Sequence, residues 1–560
     1  MKRKIILMVA LAGLVSCKKY ETIPLSNITS SNVWDPLDKN GDFAKQVLTD
    51  LYSYLPDGYN RIGGDLLDDA SGDAIPSRNT STVEYFTNGR LTSANNPDDC
   101  WSNSYKAIRE ANYFLANVDI VPIDATVKQY YKAEARFIRA MAYWEMVKRY
   151  GGVPLIGDKV LTLDDNLQIA RNNYADCAAY IVSECEAIKN LLRPVSFATA
   201  DDVNYGRINK GAALALKARV LLYGASPLFN GGGTSVDAVK KALTGYPTYD
   251  ANRWVTALAA YQELIDLNAY TLSTSFNTAF TVRKSTEVIL AKERAKTFDV
   301  ETNNAPIGYS PAIGNGYTSP TQELVDAFPM LNGLAITDAA SGYSAAAPYS
   351  GRDPRLTATV FYNNGPNWLT RPVQTFTGGL DRPGGTAVQT RTGYYMRKFM
   401  ADFSAATAYS TQDHNFIIFR YGEVLLSYAE CLNEVGRTAD AYTQVIAIRK
   451  RAGITAGANN LYGLKAGMTQ TEMRTAIQSE KRIECAFEEQ RFWDIRRWKI
   501  ADQFLNGTLH GVTITKTGTT TYTYAPLNVS TVQFQTKNYT IPVPYAEIIT
   551  DRSLIQNEGW

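Results

Sequence analysis

Apolar residues recur at helical spacing along several stretches of the chain. Tyr131, Ala135, Ile138 and Ala142 fall at i, i+4, i+7 and i+11, and so do Trp254, Leu258, Tyr261 and Ile265. Ala441, Val445, Ile448 and Ala452 repeat the pattern, and Ala213, Leu216, Val220 and Tyr223 form a shorter stripe. One apolar face per 3.6 residues predicts amphipathic helices at these places. Weaker helical patterns cover 42–55, 99–118, 173–191, 417–435 and 469–498. Trp101 and Trp144 sit inside such patterns and are expected in the core.

Small residues accompany the stripes: Ala133, Ala135, Ala140 and Ala142 in one helix, and Ala212, Ala213, Ala215 and Ala218 in another. Alanine lets helix axes approach closely, as in tetratricopeptide-like pairs. The segments 417–435 and 438–452 are separated only by Gly436 and Arg437, which predicts a helical hairpin. Other partners lie far apart, so pairs assembled from distant segments are expected rather than a simple tandem solenoid. The fold class is mainly α, a scaffold of tetratricopeptide-like helical pairs with long irregular loops and a few short β-hairpins. Residues 56–97 and 300–410 are rich in Gly, Pro, Asn, Asp and Tyr without helical period, and 507–541 alternates in β fashion through Thr521-Tyr522-Thr523-Tyr524. Loops of this length in a compact protein usually carry function.

The N-terminus carries an address. Lys2, Arg3 and Lys4 precede an apolar run from Ile5 to Val15, the pattern of a secretory signal. That run is about half of the ~20 apolar residues a membrane-spanning helix needs. Leu14-Val15-Ser16-Cys17 resembles the lipobox of bacterial lipoproteins, in which the cysteine is lipidated and becomes the first mature residue.

Composition narrows the chemistry. The 560 residues contain 57 Lys and Arg against 55 Asp and Glu, a net charge of +2, so nucleic acid drops out as a main partner. Two histidines, His414 and His510, lie outside any HExxH or HxH pattern, which argues against histidine-built zinc sites and Ser-His-Asp catalysis. Cys100, Cys177, Cys185, Cys431 and Cys485 lack CxxC spacing and read as buried free thiols. Two acidic clusters, Asp38, Asn40, Gly41 and Asp42, and Asp65, Asp68, Asp69 and Asp73, bring oxygen ligands close together. Neither matches the twelve-residue calcium loop; a structural calcium ion is the only cofactor they suggest. Gly231-Gly232-Gly233 lacks the Gly-Lys-Ser/Thr of a phosphate loop and reads as a turn.

A set of ordered motifs then resembles the SusD/RagB family of outer-membrane nutrient-binding lipoproteins. They are Trp101, Tyr105, Ile108, Ala111 and Asn112; EARFIRAMAYWEMVKRYGGVPL at 134–155; GASPLFNGGG at 224–233; YPTYDANRW at 246–254; and RDPRL at 352–356. RYGEVLLSYAECLNEVG at 420–436, IRKRAGI at 448–454, SEKRIECAFEEQRFWDIRRW at 479–498 and IPVPYAEIITDRSLIQNEGW at 541–560 complete the series. The implied organisation is a lipoprotein signal at 1–16, a lipid-anchored segment at 17–40, an N-terminal helical region at 41–299, and a C-terminal region at 300–560 packed on the same body.

The resemblance implies a non-enzymatic protein, anchored through Cys17 to outer-membrane lipid and facing the exterior. It would capture an oligosaccharide or polysaccharide and pass it to a SusC-like TonB-dependent transporter. Sugar rings stack their C–H faces on aromatic side chains while their hydroxyls need amide, carboxylate or guanidinium partners. On that chemistry the candidate ligand residues are Asp73, Arg78, Asn79, Tyr85 and Phe86 in one loop, Tyr309 and Tyr317 in another, and Trp368 after Asn-Gly-Pro-Asn. Peptide capture of the RagB type, a secreted glycosidase and a protein-binding adaptor are the competing readings. A glycosidase would have to use carboxylates such as Glu484, Glu488 or Asp494. Among so many arginines these read instead as salt-bridge partners on the rim of a helix whose inward face carries Phe487, Ile495 and Trp498.

Overall fold

The computed structural model describes residues 33–195, 203–306, 308, 314–369, 371–384, 390–402 and 411–560. Its body is built from α1 (Asp42–Leu51), α2 (Trp101–Asn117), α3 (Ala125–Tyr150), α4 (Tyr174–Ile188), α5 (Lys210–Ala225), α6 (Asn252–Asp266), α7 (Tyr421–Glu434), α8 (Thr438–Ala452), α9 (Gln470–Glu484) and α10 (Arg491–Arg497). Local chemistry sets several of these ends. Asp124 accepts the amides of Thr126 and Val127 to start α3. Gly151, at φ 81°, stops α3 where a Cβ would strike the Leu243 carbonyl oxygen at 2.3 Å. Thr469 and Glu472 close a capping box at the start of α9.

The helices stack in chain order, α2 on α3, α3 on α4, α4 on α5 and α5 on α6. Consecutive stacking from 101 to 266 replaces the expected assembly from distant segments. Among the described residues the main long-range step is that α7 packs on α6 and then receives α8 and α9. The stripes that predicted these helices are buried, with Ala135, Leu216, Val445 and Ile448 at 2% exposure or less. Trp101 and Trp144 lie in the core as expected.

Strands β1 (Ala74–Pro76), β2 (Val288–Lys292), β3 (Thr318–Pro320), β4 (Val360–Phe361), β5 (Tyr395–Met396), β6 (Phe416–Arg420), β7 (Gly507–Lys516) and β8 (Tyr522–Val532) pair two by two, as β1 with β3, β2 with β6, β4 with β5 and β7 with β8. The β7–β8 hairpin realises the alternation read in 507–541. Two helix expectations are corrected. Residues 416–420 form β6, because the apolar run Phe416-Ile417-Ile418-Phe419 pairs with β2 before α7 begins. The helix expected over 469–498 breaks after Glu484; Phe487 and Glu489 adopt left-handed backbone before α10 starts.

Two apolar cores result. One fills the helical stack, and the other gathers the loops of 276–400 with Leu66, Phe487 and the inner face of the hairpin, including Val512 and Ile514. Where they meet lies a buried lattice of ions. Arg420 binds Glu287 at 2.9 Å, Glu484 at 2.8 Å and Glu488 at 2.6 Å; Lys398 binds Glu488 at 2.6 Å; and Arg355 binds Asp353, Glu480 and Glu484. The charges of 479–498, expected around a rim, are therefore inside: Arg497 is fully buried against Glu430 and Asp494, and Arg496 lies 3.5 Å from the Phe492 ring centroid. Phe487, Ile495 and Trp498 are buried as expected.

Candidate functional site

The three-residue strands β1 and β3 bring together two loops more than two hundred residues apart in sequence. Ala74 stands opposite Pro320 and Pro76 opposite Thr318, and the pairing continues where the Ser77 amide donates to the Tyr317 carbonyl at 2.7 Å. Tyr317 is further fixed by its own amide, which donates to the Asn303 carbonyl at 2.8 Å. The register sets Ser77 opposite Tyr317, and the side chain of the next residue, Arg78, lays its guanidinium over the ring at 4.2 Å from its centroid.

Arg78 is held from beneath. It donates to the Gly63 carbonyl at 2.8 Å and to buried Asp65 at 2.7 Å. Asp65 also accepts from Ser81, whose Oγ in turn accepts the Val83 amide and starts the short turn Thr82–Phe86. Burial pushes the Asp65 carboxyl above its ordinary range, against the pull of Arg78 and Ser81. Gly64, at φ 96°, lets the backbone pass under the guanidinium, since a Cβ there would stand 2.9 Å from Arg78 Nη2. Asn79 is exposed, and Arg78 and Tyr317 are half-buried, so a polar hand, a cation and one aromatic ring share a shallow open face.

The remaining sequence candidates divide. Tyr85 is half-buried against the helical core with Arg90 over its ring at 4.8 Å. Phe86 points inward and meets Phe492 edge-on at 5.1 Å. Asp73 is buried and ion-paired to Arg482 at 2.6 Å, tying β1 to α9. Trp368, expected outward on its loop, is instead 2% exposed: it packs on Phe361 and its indole N–H donates to the Ala401 carbonyl at 3.0 Å. The apolar ring gains more by joining the second core than the Asn-Gly-Pro-Asn turn gains by displaying it. Tyr309 and Cys17 lie outside the described residues.

The acidic clusters serve the backbone and the arginines. Asp38 accepts the amides of Asn40, Gly41 and Asp42 ahead of α1. Asp65 serves Arg78, Asp68 accepts the Glu489 amide at 3.0 Å, Asp69 that of Leu66, and Asp73 serves Arg482. Among the described residues no three acidic, histidine or cysteine side chains converge on a metal position.

Arg391 escaped the sequence reading. It binds Glu84 at 2.8 Å, the Pro76 carbonyl at 3.0 Å and the Val529 carbonyl of β8 at 3.2 Å, fastening the face to the hairpin. It sits in a Thr-rich stretch with no periodicity to mark it. The carboxylates a hydrolase would use are held otherwise. Burial alone would raise Glu484, Glu488 and Asp494, but the surrounding guanidinium and ammonium groups outweigh it and keep all three below the usual carboxylate range. A carboxyl in that state does not hold a proton for a leaving group at neutral pH.

Comparison with known proteins is consistent across the chain. Residues 286–560 match the model described as the SusD family, and residues 45–222 match one described as starch-binding, associating with the outer membrane. The curated SusD-like protein P25 of Formosa agariphila is 25% identical over 494 residues, covering 81% of this chain and 82% of that one. A SusD-like protein of Bacteroides fragilis has a crystal structure that superposes with a TM-score of 0.78 at 27% identity, over 95% of this chain and 99% of that chain. A SusD-like carbohydrate binding protein from the same organism superposes at 0.73 with 22% identity, over 93% and 100%.

Proposed function

Because the chain belongs to the SusD/RagB family, we propose that it is a non-enzymatic, cell-surface glycan receptor, lipid-anchored through Cys17 in the outer membrane. It captures oligosaccharide and hands it to a SusC-like TonB-dependent transporter. The single observation that carries the reading is the Arg78–Tyr317 pair with exposed Asn79 beside it. A ring backed on one side by a guanidinium offers its other side to a sugar's C–H face, while Asn79 and Arg78 supply donors for hydroxyls. The guanidinium is anchored at Gly63 and Asp65 before any ligand arrives, so little ordering entropy is left for binding to overcome. A shallow face suits a receptor that must release what it captures.

Calorimetry of the purified protein against neutral and acidic polysaccharides tests this. Tyr317→Ala is expected to weaken binding of a glycan held by the parent roughly tenfold, the equivalent of one stacked ring. Equal affinity of the variant removes Tyr317 from the site, and release of shortened products by the parent overturns the receptor reading.

A further inference from the structure

Four tyrosines, Tyr349, Tyr362, Tyr394 and Tyr524, converge beside the β7–β8 hairpin. Tyr349 stacks on Tyr362 at 4.4 Å with an interplanar angle of 24°, meets Tyr524 of β8 edge-on at 5.7 Å, and stands 6.2 Å from Tyr394. Hydroxyl contacts lock most of the group: Tyr349 with Tyr394 at 3.1 Å, Tyr394 to Gln322 at 2.7 Å, and Tyr362 with Thr357 at 2.9 Å. Tyr349, Tyr362 and Tyr394 are therefore positioned by their own hydrogen bonds.

Tyr362 and Tyr394 belong to the second core, and Tyr349 and Tyr524 pack at its edge. Two cavities flank the group, one of about 730 Å³ running toward Asn364 and Thr520, the other of about 560 Å³ running toward Glu323, Asp326 and His510. Both are walled by Pro348, Tyr349 and Tyr524. Both are open clefts at the surface, and clefts of several hundred Å³ lined by aromatic rings with a few polar groups are the usual form of a ligand site. Thr520 and Asn364 are exposed at the mouth, and Tyr524 is half-buried.

The lining has a one-sided charge. Among the described residues neither cavity is lined by a lysine or arginine; the first carries no charged side chain, and the second carries Glu323 and Asp326, with His510 Nδ1 held 2.6 Å from Glu323, while Arg352 behind Tyr343 is buried and spent on the carbonyls of Val325, Phe328 and Pro348. A sulfated or uronic sugar entering here would lose hydration without gaining a cation and would meet like charge. Uncharged sugar hydroxyls can donate to the Glu323 and Asp326 carboxylates and to the Asn364 amide oxygen while the ring stacks on tyrosine.

We propose that the tyrosine cleft around Tyr349 and Tyr524 is a second carbohydrate site, selective for uncharged over anionic glycan. The proposal rests on the receptor reading above but uses none of the residues of the Arg78 face. The two sites share a support: Arg391 binds Glu84 and the Pro76 carbonyl, and three residues on Tyr394 joins the cleft, while the Val512 amide of β7 donates to the Thr392 carbonyl between them at 2.8 Å.

The test titrates the full protein with laminarihexaose, cellohexaose, mannohexaose and xylohexaose, and with hexagalacturonate and a sulfated carrageenan hexaose as anionic counterparts. At least one neutral hexaose should bind, and Tyr524→Ala should weaken that binding about tenfold. Thr520→Cys, an exposed position whose exchange leaves the tyrosines intact, should bind like the parent until a bulky maleimide is attached and then lose the same component; the parent treated with the reagent is the control. If neither Tyr524→Ala nor the labelled variant differs from the parent while Tyr317→Ala does, the cleft is not a site and the Arg78 face stands. Binding that survives Tyr317→Ala and is lost in the labelled variant supports the cleft and overturns the Arg78 face. Absence of binding to every neutral hexaose overturns the cleft, as does an anionic hexaose bound as tightly as the neutral ones and lost on labelling.

Discussion

Asp68 should make the protein less stable as pH rises through neutrality, and Asp68→Asn should remove that slope. The residue sits on the turn Leu67–Ala70 at 1% exposure; one carboxylate oxygen accepts the Glu489 amide at 3.0 Å and the other is buried with no hydrogen-bond partner. Burial, joined by the nearby charges of Glu489 and Asp73 and opposed by Lys398, pushes its carboxyl up to about 8. Between the unfolded value of about 3.9 and that folded value, the native protein keeps a proton that the unfolded chain has released. Stability is therefore fully present below the lower value, falls as pH rises toward the upper one, and levels off beyond it. At pH 5 the loss is about 1.5 kcal/mol and at pH 7 roughly 4 kcal/mol, taken from the separation of each pH from 3.9 at 1.36 kcal/mol per unit. Asparagine cannot titrate, so any packing change it introduces is a constant offset. Urea denaturation of parent and Asp68→Asn at pH 5, 6, 7 and 8 should show the variant gaining about 2 to 3 kcal/mol relative to the parent between pH 5 and 7. A difference that is flat with pH, or that shrinks as pH rises, refutes the reasoning.

Three further outcomes are expected. Cys17→Ala should move the protein from the membrane to the soluble fraction in cells lacking the partner barrel, since no helix among the described residues is long and apolar enough to cross a membrane; quantitative retention in the outer membrane argues against the anchor. Ile448→Asp places a charge at a wholly buried contact with Leu425 and Leu426 and should cost ~3 kcal/mol or more; an unchanged melting temperature would mean that this face is not packed. Glu488→Gln strips Arg420 and Lys398 of a buried charged partner and should destabilise by about 3 to 5 kcal/mol in denaturant titration while the folded variant binds glycan as the parent does; hydrolysis by the parent that vanishes in the variant would contradict this.

The helices were legible where a stripe ran long enough to fix its period. Ala441, Val445, Ile448 and Ala452 define α8, and Tyr131 to Ala142 the centre of α3. Phe416-Ile417-Ile418-Phe419 was not legible as a strand, because a short apolar run has the same pattern in a buried helix and in a buried strand, and only its partner β2 decides. The break after Glu484 carries no glycine or proline; it follows from the backbone path between α9 and α10, along which Glu484 and Glu488 both reach Arg420. At the candidate site, composition singled out Arg78, Asn79 and Tyr317 as residue types suited to sugar. Their meeting depends on β1 and β3, each three residues long and too short to leave a signal. The same reasoning placed Trp368 outward, because a turn sequence does not say which core lies within its reach.

The chain leaves the helical stack after α6 and re-enters it at α7, and these two helices are neighbours. Antiparallel β2 and β6 stand near the start and at the end of that excursion and pin its two limbs together. Residues 267–420 are thus a detour that returns close to its point of departure, its apolar side packed in the second core with Leu66, Phe487, Val512 and Ile514. Adjacent ends let the outer loops of such a segment change in length without displacing α6 or α7, whereas Arg355, Lys398 and Arg420 tie its inner side to Glu480, Glu484 and Glu488. For evolution this separates two rates of change, an inner side held by buried ion pairs that must persist and outer loops that can drift. For protein engineering, a transplant of these loops at the β2–β6 stem has to carry the partners of Glu480, Glu484 and Glu488 with it.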